Sequence, residues 1–418
     1  MRHIKLLAPA AILALSACQG DSPIAPRNSL FESRPGVTIE NSPAVLAARV
    51  HDAGGSAVGI VSTNPYLVSI KGDDNEMSYK LQVTIDAPVV SSITLPASHI
   101  AFRGTRAYVS YAPAGETLVG AVDVFDISTP WKPSLISSAR FSDTKITTMA
   151  VEGDRLYLGT VTANEKYPDA TAVLETIQLD ESGRLSTRSV RVAVPSHVVT
   201  GIAVAQGNVW VASGTSEKRP GGLTVLDAAT LEITMQETLA DVRAVSVNGS
   251  VVTALLGSDA RMRLYDAASQ KFISEFGVGG LTAPGHKATI ANVANWAFVA
   301  AGDSGVVFAR IRQNGSVTGT KLMSWGSPAG VPGVHDDDAV TNAVAVSGSY
   351  AYAANGGAGV WVARGNWSST AQNLTPAITP IGRLDLPGVS SNMVGVYGGS
   401  LFVAAGLGGL KVLQQPTP

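Results

Sequence analysis

Seven times along the chain a short run of alternating apolar and polar residues closes on a turn and is answered by a second, more continuously apolar run. The answering runs are RAYVSY from Arg106, RLYLGT from Arg155, NVWVAS from Asn208, VVTALL from Val251, WAFVAA from Trp296, YAYAAN from Tyr350 and LFVAAG from Leu401. Most follow glycine-bearing turns such as IAFRG, MAVEG, VAVSG and VGVYG. A period of two marks half-buried strands, and the turn glycines make each pair a hairpin. A third strand follows, as in AVDVFDIS, GLTVLDAA, MRLYDAAS, GVWVARG and GLKVLQ, and in most repeats a fourth, as in PSLISSARF, EITMQETL, KFISEF and ITPIGRLDLPG. No amphipathic helical period interrupts them, so the chain reads as all-β.

The matched positions Tyr108, Tyr157, Trp210, Val252, Phe298, Tyr352 and Phe402 recur at intervals of roughly 42 to 54 residues, the period of a four-stranded propeller blade. The units predict a seven-bladed β-propeller of four-stranded blades over residues 87–418. The last repeat stops soon after GLKVLQ and has no outer strand of its own. APVVSSITLPASH, from Ala87, is similar to the outer strand and crossover ahead of the seventh repeat, ITPIGRLDLPGVSS. An N-terminal strand is therefore expected to complete the last blade and close the ring, leaving only short, protected edges.

The first eighteen residues follow another pattern: a basic start at Arg2 and Lys5, an apolar stretch from Leu6 to Leu15, then Leu15-Ser16-Ala17-Cys18. That stretch is too short to span a bilayer and reads as a signal peptide over residues 1–18. Its end resembles the bacterial lipobox, which implies cleavage before Cys18 and acylation of its thiol and new amino terminus with chains such as palmitate. Two or three chains anchor stably, because each buried methylene contributes about 0.8 kcal/mol. Gln19 stands where enterobacterial sorting reads an Asp as inner-membrane retention, so the resemblance implies the outer membrane. Residues 19–43, rich in Pro, Ser and Asn, read as a flexible tether, and residues 44–86 as an N-terminal extension with strand-like pieces such as SAVGIVS and YLVSIK.

Composition narrows the function classes. Of 418 residues 45% are apolar and 15% charged, and the formal net charge is −2. Such a chain can bury a large core and does not have the basic character of a nucleic-acid binder. Cys18 is the only cysteine, so no internal disulfide, thiolate metal site or cysteine nucleophile is expected.

The repeat resembles the LVIVD-repeat propellers of bacterial and archaeal cell surfaces. TNAVAVSGSYAYAANGGAGVWVARG follows that family's first three strands, and GAVDVFDISTPWKP carries its DIS-x-P exit. The resemblance covers about Ser91 to Gln414, with the unit containing NEKYPDA and the fifth unit departing most.

In a propeller the links between blades share a face with the turns between second and third strands, and binding commonly occurs there. Outside the signal peptide and the extension, every histidine lies in such a link: His99, His197, His286 and His335, each two or three residues after a proline. They are the candidate ligand-binding residues, with Asp336 and Asp338. If VHDDD is extended, these two aspartates share one face. Imidazole and carboxylate together suit a divalent metal, so His286, His335, Asp336 and Asp338 form the candidate metal set. The alternative is structural: in WD-repeat propellers a Gly-His in this link hydrogen-bonds within its own blade, and Gly285-His286 is that dipeptide. Gly302-Asp303-Ser304-Gly305 is similar to the surroundings of a trypsin-like nucleophile but falls in a repeat turn. Asp126, Asp227 and Asp266 end third strands, where a short carboxylate caps the turn.

No phosphate loop, HExxH or paired-carboxylate motif occurs, and no catalytic residue or cofactor is assigned. The six tryptophans occupy no common repeat position, unlike those of quinone-cofactor propellers. The chain is expected to be a lipid-anchored binding or scaffolding module of the cell envelope, with a protein or polysaccharide partner on the crossover-loop face. The alternative is a metal-dependent hydrolase or lactonase with its site at the channel mouth.

Overall fold

Each of the seven units folds as an antiparallel sheet of four strands. The computed structural model describes residues 30–61, 78–162, 171–257, 260–279, 287–311, 319–367, 378–386 and 390–416, with the side chains of 319–324 outside that description. Blade 1 comprises Ala97–Arg103, Arg106–Tyr111, Gly120–Asp126 and Ser134–Phe141. Blade 2 runs Thr144–Glu152, Arg155–Thr162, Ala172–Leu179 and Leu185–Ala193, and blade 3 Val199–Ala205, Asn208–Ser213, Gly222–Asp227 and Ile233–Thr238. Blade 4 runs Val242–Asn248, Val251–Leu256, Arg261–Asp266 and Phe272–Gly277, and blade 5 Ile290–Val293, Trp296–Ala300, Val306–Ile311 and Gly319–Trp325. Blade 6 runs Ala343–Ser347, Tyr350–Ala354, Val360–Gly365 and Ile378–Leu384. Blade 7 takes Met393–Tyr397, Ser400–Ala404 and Leu410–Gln414 from the end of the chain and its outer strand from near the beginning. Inner strands touch in the order 1 to 7 and back to 1, so the ring is closed.

Seven apolar clusters hold the ring, one between each pair of neighbouring blades. Alternation on the second strand splits each blade between two of them: Tyr108 faces blade 2, while Ala107, Val109 and Tyr111 face blade 7. Tyr157, Trp210, Phe298, Tyr352 and Phe402 are likewise buried against the next blade. A fully buried side chain of this size contributes about 1.5–3 kcal/mol. In blade 4 the register corrects the repeat alignment. The residue two past the turn closure is Thr253, opposite Ser246 and Leu264, and not Val252. Thr253 lies between Val251 and Leu255 on the face toward blade 5, and its Oγ1 is buried with no hydrogen-bond partner among the described residues. Thr253→Val is therefore expected to raise stability by about 1 kcal/mol in denaturant titration; a loss of stability would show that the hydroxyl is satisfied.

Ring closure is confirmed, but by a different strand from the one expected. Tyr79–Ile85 pairs with the last strand, Leu410 opposite Ile85 and Gln414 opposite Lys80. The segment from Ala87 instead makes a small hairpin, Val89–Val90 with Ile93–Thr94, turning through Ser91 and Ser92, and then enters blade 1. The propeller thus begins before residue 87.

The preceding residues are neither tether nor separate extension from residue 31 onward. They run around the outside of the ring and add an edge strand to each of four blades in reverse order. Glu32–Ser33 joins blade 2, Val37–Glu40 blade 1, Val50–Val58 blade 7 and Ile60–Val61 blade 6. The short helix Pro43–Ala47 lies between the second and third of these and buries Leu46 in the cluster between blades 7 and 1.

Two arginines fasten this belt. Arg34 Nε donates to Glu175 at 3.0 Å, and its two terminal nitrogens donate to Asp143 at 3.0 and 2.8 Å. Arg49 donates to both Asp123 oxygens at 3.1 and 2.6 Å and also to the Asp86 carbonyl. Asp123 and Glu175 are fully buried, so each guanidinium supplies the counter-charge that an interior carboxylate needs.

Candidate functional site

The axis of the ring opens on the crossover face into a cavity of about 740 Å³ to which all seven blades contribute. Links and inner-strand starts supply Ser98, Thr147, Thr200, Arg243, Lys287, Asn342 and Asn392. Second-to-third-strand turns supply Ala114, Thr215 and Leu407 from the same side. The two sets of loops share a face, as expected.

Bulges aim the wall. In blades 1 to 4 the inner strand slips register by one residue near its start, at Ser98, Thr147, Thr200 and Arg243. A bulge redirects a side chain, and all four of these residues line the cavity. Thr147 Oγ1 donates to the Val199 carbonyl at 2.6 Å and Thr200 Oγ1 to the Val242 carbonyl at 2.5 Å, tying each blade to the next. Asn392 Nδ2 does the same from blade 7 to Ala97 of blade 1 at 2.8 Å. Sequence reasoning missed these residues because alignment of repeats assumes constant register. Their signal was a polar residue interrupting an apolar inner strand.

Lys287 crosses the channel. It enters from the link to blade 5, yet its Nζ donates to the Ser98 carbonyl of blade 1 at 2.7 Å and to the Asn392 carbonyl of blade 7 at 3.3 Å. The third contact, also 3.3 Å, is to Nδ1 of His99. Burial lowers the Lys287 pKa to about 7. His99 is held well below the usual histidine range by burial and then by the Lys287 charge, so its imidazole is neutral and accepts. Among the described lining residues Asp241 is the only carboxylate, and Arg243 engages it at 2.7 Å. Lys145 completes the cationic set, its Nζ resting on the Gly115 carbonyl.

The expected site residues separate. His99 is a buried wall residue, and His197 lines the same cavity, half-buried, with its pKa lowered by burial. His286 lies outside the described residues. His335, Asp336 and Asp338 do not line the cavity and are exposed. The expected extended HDDD run is instead a single 3₁₀ turn, Asp336–Asp338, capped by His335 accepting from the Asp337 amide. Asp336 accepts from the Gly330 amide, and the Asp338 carbonyl takes the Gly357 amide of the same blade. Short polar runs after a proline and glycine satisfy their own backbone in this way, which removes the shared face that alternation would give. Among the described residues no group of three or more His, Cys, Asp or Glu side chains is arranged to hold a metal ion.

Two other motifs are turns. Gly302-Asp303-Ser304-Gly305 closes through the Gly305 amide on the Gly302 carbonyl. Asp126, Asp227 and Asp266 each accept from backbone amides two or three residues on. The Thr230 and Ala229 amides hold the Asp227 carboxyl below its ordinary range, as Ser269 does for Asp266.

No family model and no curated protein matches the chain. Among solved structures, the β-propeller domain of Cps50 (Swd1) from Myceliophteria thermophila superposes with a TM-score of 0.52 at 11% identity, covering 79% of this chain and 99% of that one. BamB from Moraxella catarrhalis gives 0.45 at 12% identity over 92% and 98% of the two chains. A functionally unknown protein from Desulfotomaculum acetoxidans gives 0.47 at 15% identity over 68% and 86%. At these identities the likeness concerns the fold alone.

Proposed function

We propose that the chain is a lipid-anchored binding module of the bacterial cell envelope, with a protein or polysaccharide partner seated on the crossover face. One observation carries the binding face: all seven blades direct links or inner-strand starts into a single cavity there, four of them with bulged residues. A rigid ring with independently variable loops suits recognition. Support for the anchor is Leu15-Ser16-Ala17-Cys18, and no helix among the described residues is long and apolar enough to cross a membrane. Gln19 supports the outer membrane.

Cys18→Ser is expected to abolish palmitate labelling and to shift most of the protein from the membrane to the soluble fraction. Unchanged partition would remove the anchor from the account. For the binding face, a photocrosslinking residue at Leu407, which is 66% exposed at the mouth, is expected to capture a partner in intact cells. The same residue at Phe272, 50% exposed on the outer strand of blade 4, is expected to capture none. Capture at Phe272 alone would place the partner on the rim.

A further inference from the structure

We infer that the channel mouth is a receptor site for an organic carboxylate borne on an apolar body, with Lys287 at its floor and Arg243 and Lys145 beside it. This rests on the reading of the mouth as the binding face and names what that face takes.

Among the described lining residues the charges are unbalanced in one direction. Three cationic side chains line the cavity and one carboxylate, Asp241, is already held by Arg243. Lys287 meets two carbonyls and a neutral imidazole. A partly buried ammonium with no anion beside it among the described residues is costly, and an incoming carboxylate supplies that partner. Two of its three bonds are long, at 3.3 Å, so one can be exchanged for a charge-assisted bond at little cost. The single guanidinium fork is filled, which favours a monoanion over a phosphate.

The rest of the wall selects the body. Pro96, Val198 and Leu407 add exposed apolar surface to the lining, and about 740 Å³ falls in the range of small-molecule sites, roughly 300–1,000 Å³. A free fatty or aromatic acid and the C-terminus of a partner chain offer the same chemistry.

Calorimetry on the purified mature protein separates these sources with decanoate against decanol, and with N-acetyl-Ala-Ala-Val-Leu as free acid against its amide. Either acid is expected to bind at least about tenfold more tightly than its neutral twin at pH 6.5. With the Lys287 pKa lowered to about 7 by burial, its charged fraction falls as pH rises from 6.5 to 8.5, and acid affinity is expected to fall with it, approaching tenfold per unit at the upper end. Of the other groups lining the cavity, His99 is held well below the usual histidine range and stays neutral, His197 is lowered by burial, and Arg243 is bonded to Asp241. Lys145, whose pKa burial also lowers, is tested by Lys145→Gln, expected to weaken binding and keep the slope. Lys287→Met is expected to lose the acid preference and the slope, and Lys287→Arg to keep the preference with a flat profile. Equal binding of acid and neutral twins, or a slope that survives Lys287→Arg, would overturn the inference. If Leu407 captures a partner that neither acid displaces, the binding face stands and the ligand class falls.

Discussion

Arg49→Ala is expected to lower the stability of the ring by about 3–5 kcal/mol, the usual consequence of stranding a buried charge. Asp123 is fully buried on the third strand of blade 1, and Arg49 is bonded to both of its oxygens. The same guanidinium holds the carbonyl of Asp86, just past the strand that completes blade 7. One side chain therefore clamps the seam where the ends of the ring meet. Arg49→Lys keeps the charge and loses the fork, so it should lose roughly half as much. In a double-mutant cycle with Asp123→Ala the combined loss should fall well short of the sum, since the second change removes the stranded charge. An Arg49→Ala loss below about 1 kcal/mol, the range of a surface pair, would show that the seam is held elsewhere.

Gly409→Ala carries the second large effect. Gly409 sits at φ +69°, and a Cβ built there would lie 1.9 Å from the carbonyl oxygen of Ile85 on the closing strand. The left-handed backbone alone costs an alanine about 1–2 kcal/mol. Displacing a backbone oxygen adds to that, and a total of about 3 kcal/mol or more is expected. Gly399 is the control: its φ is +75°, but a Cβ there meets nothing within 4 Å. Gly399→Ala should therefore show only the conformational part. Equal losses at both sites would mean that the closing strand does not press on the 406–409 turn.

Sequence and structure agree where information is local and repeated. Six of the seven repeat positions are buried aromatics facing a neighbouring blade, because a period of two and a turn glycine are enough to place them. At Thr253 the aromatic signal is missing, and only the register identifies the position. The closing strand was misplaced for a different reason. ITLP near Ala87 has the local chemistry of an outer strand, but pairing with the last strand is decided by partners more than three hundred residues apart. Edge strands of two to four residues, such as Glu32–Ser33 and Val37–Glu40, have no period to read.

The site was legible as a place and less so as residues. The links and their face followed from blade geometry, and His99 and His197 do line the channel. Lys287 lies one residue beyond His286, but a lone lysine in a link normally reads as solvated. Its reach across the ring depends on the channel width, which no local pattern encodes. Asp336 and Asp338 stand out in the sequence by their charge, but the Asp336 carboxylate accepts from the Gly330 amide of its own loop and Asp338 contributes its backbone carbonyl to Gly357.

The proposed binding face is tested most directly by hydrogen exchange, comparing the protein alone with the protein bound to the partner captured at position 407. Slowed exchange is expected at 96–99, 112–115, 197–200, 213–215 and 406–408, all around the mouth. No change is expected in the outer strands Ile233–Thr238 and Phe272–Gly277. Protection of those outer strands with an unchanged mouth would contradict the proposed binding face.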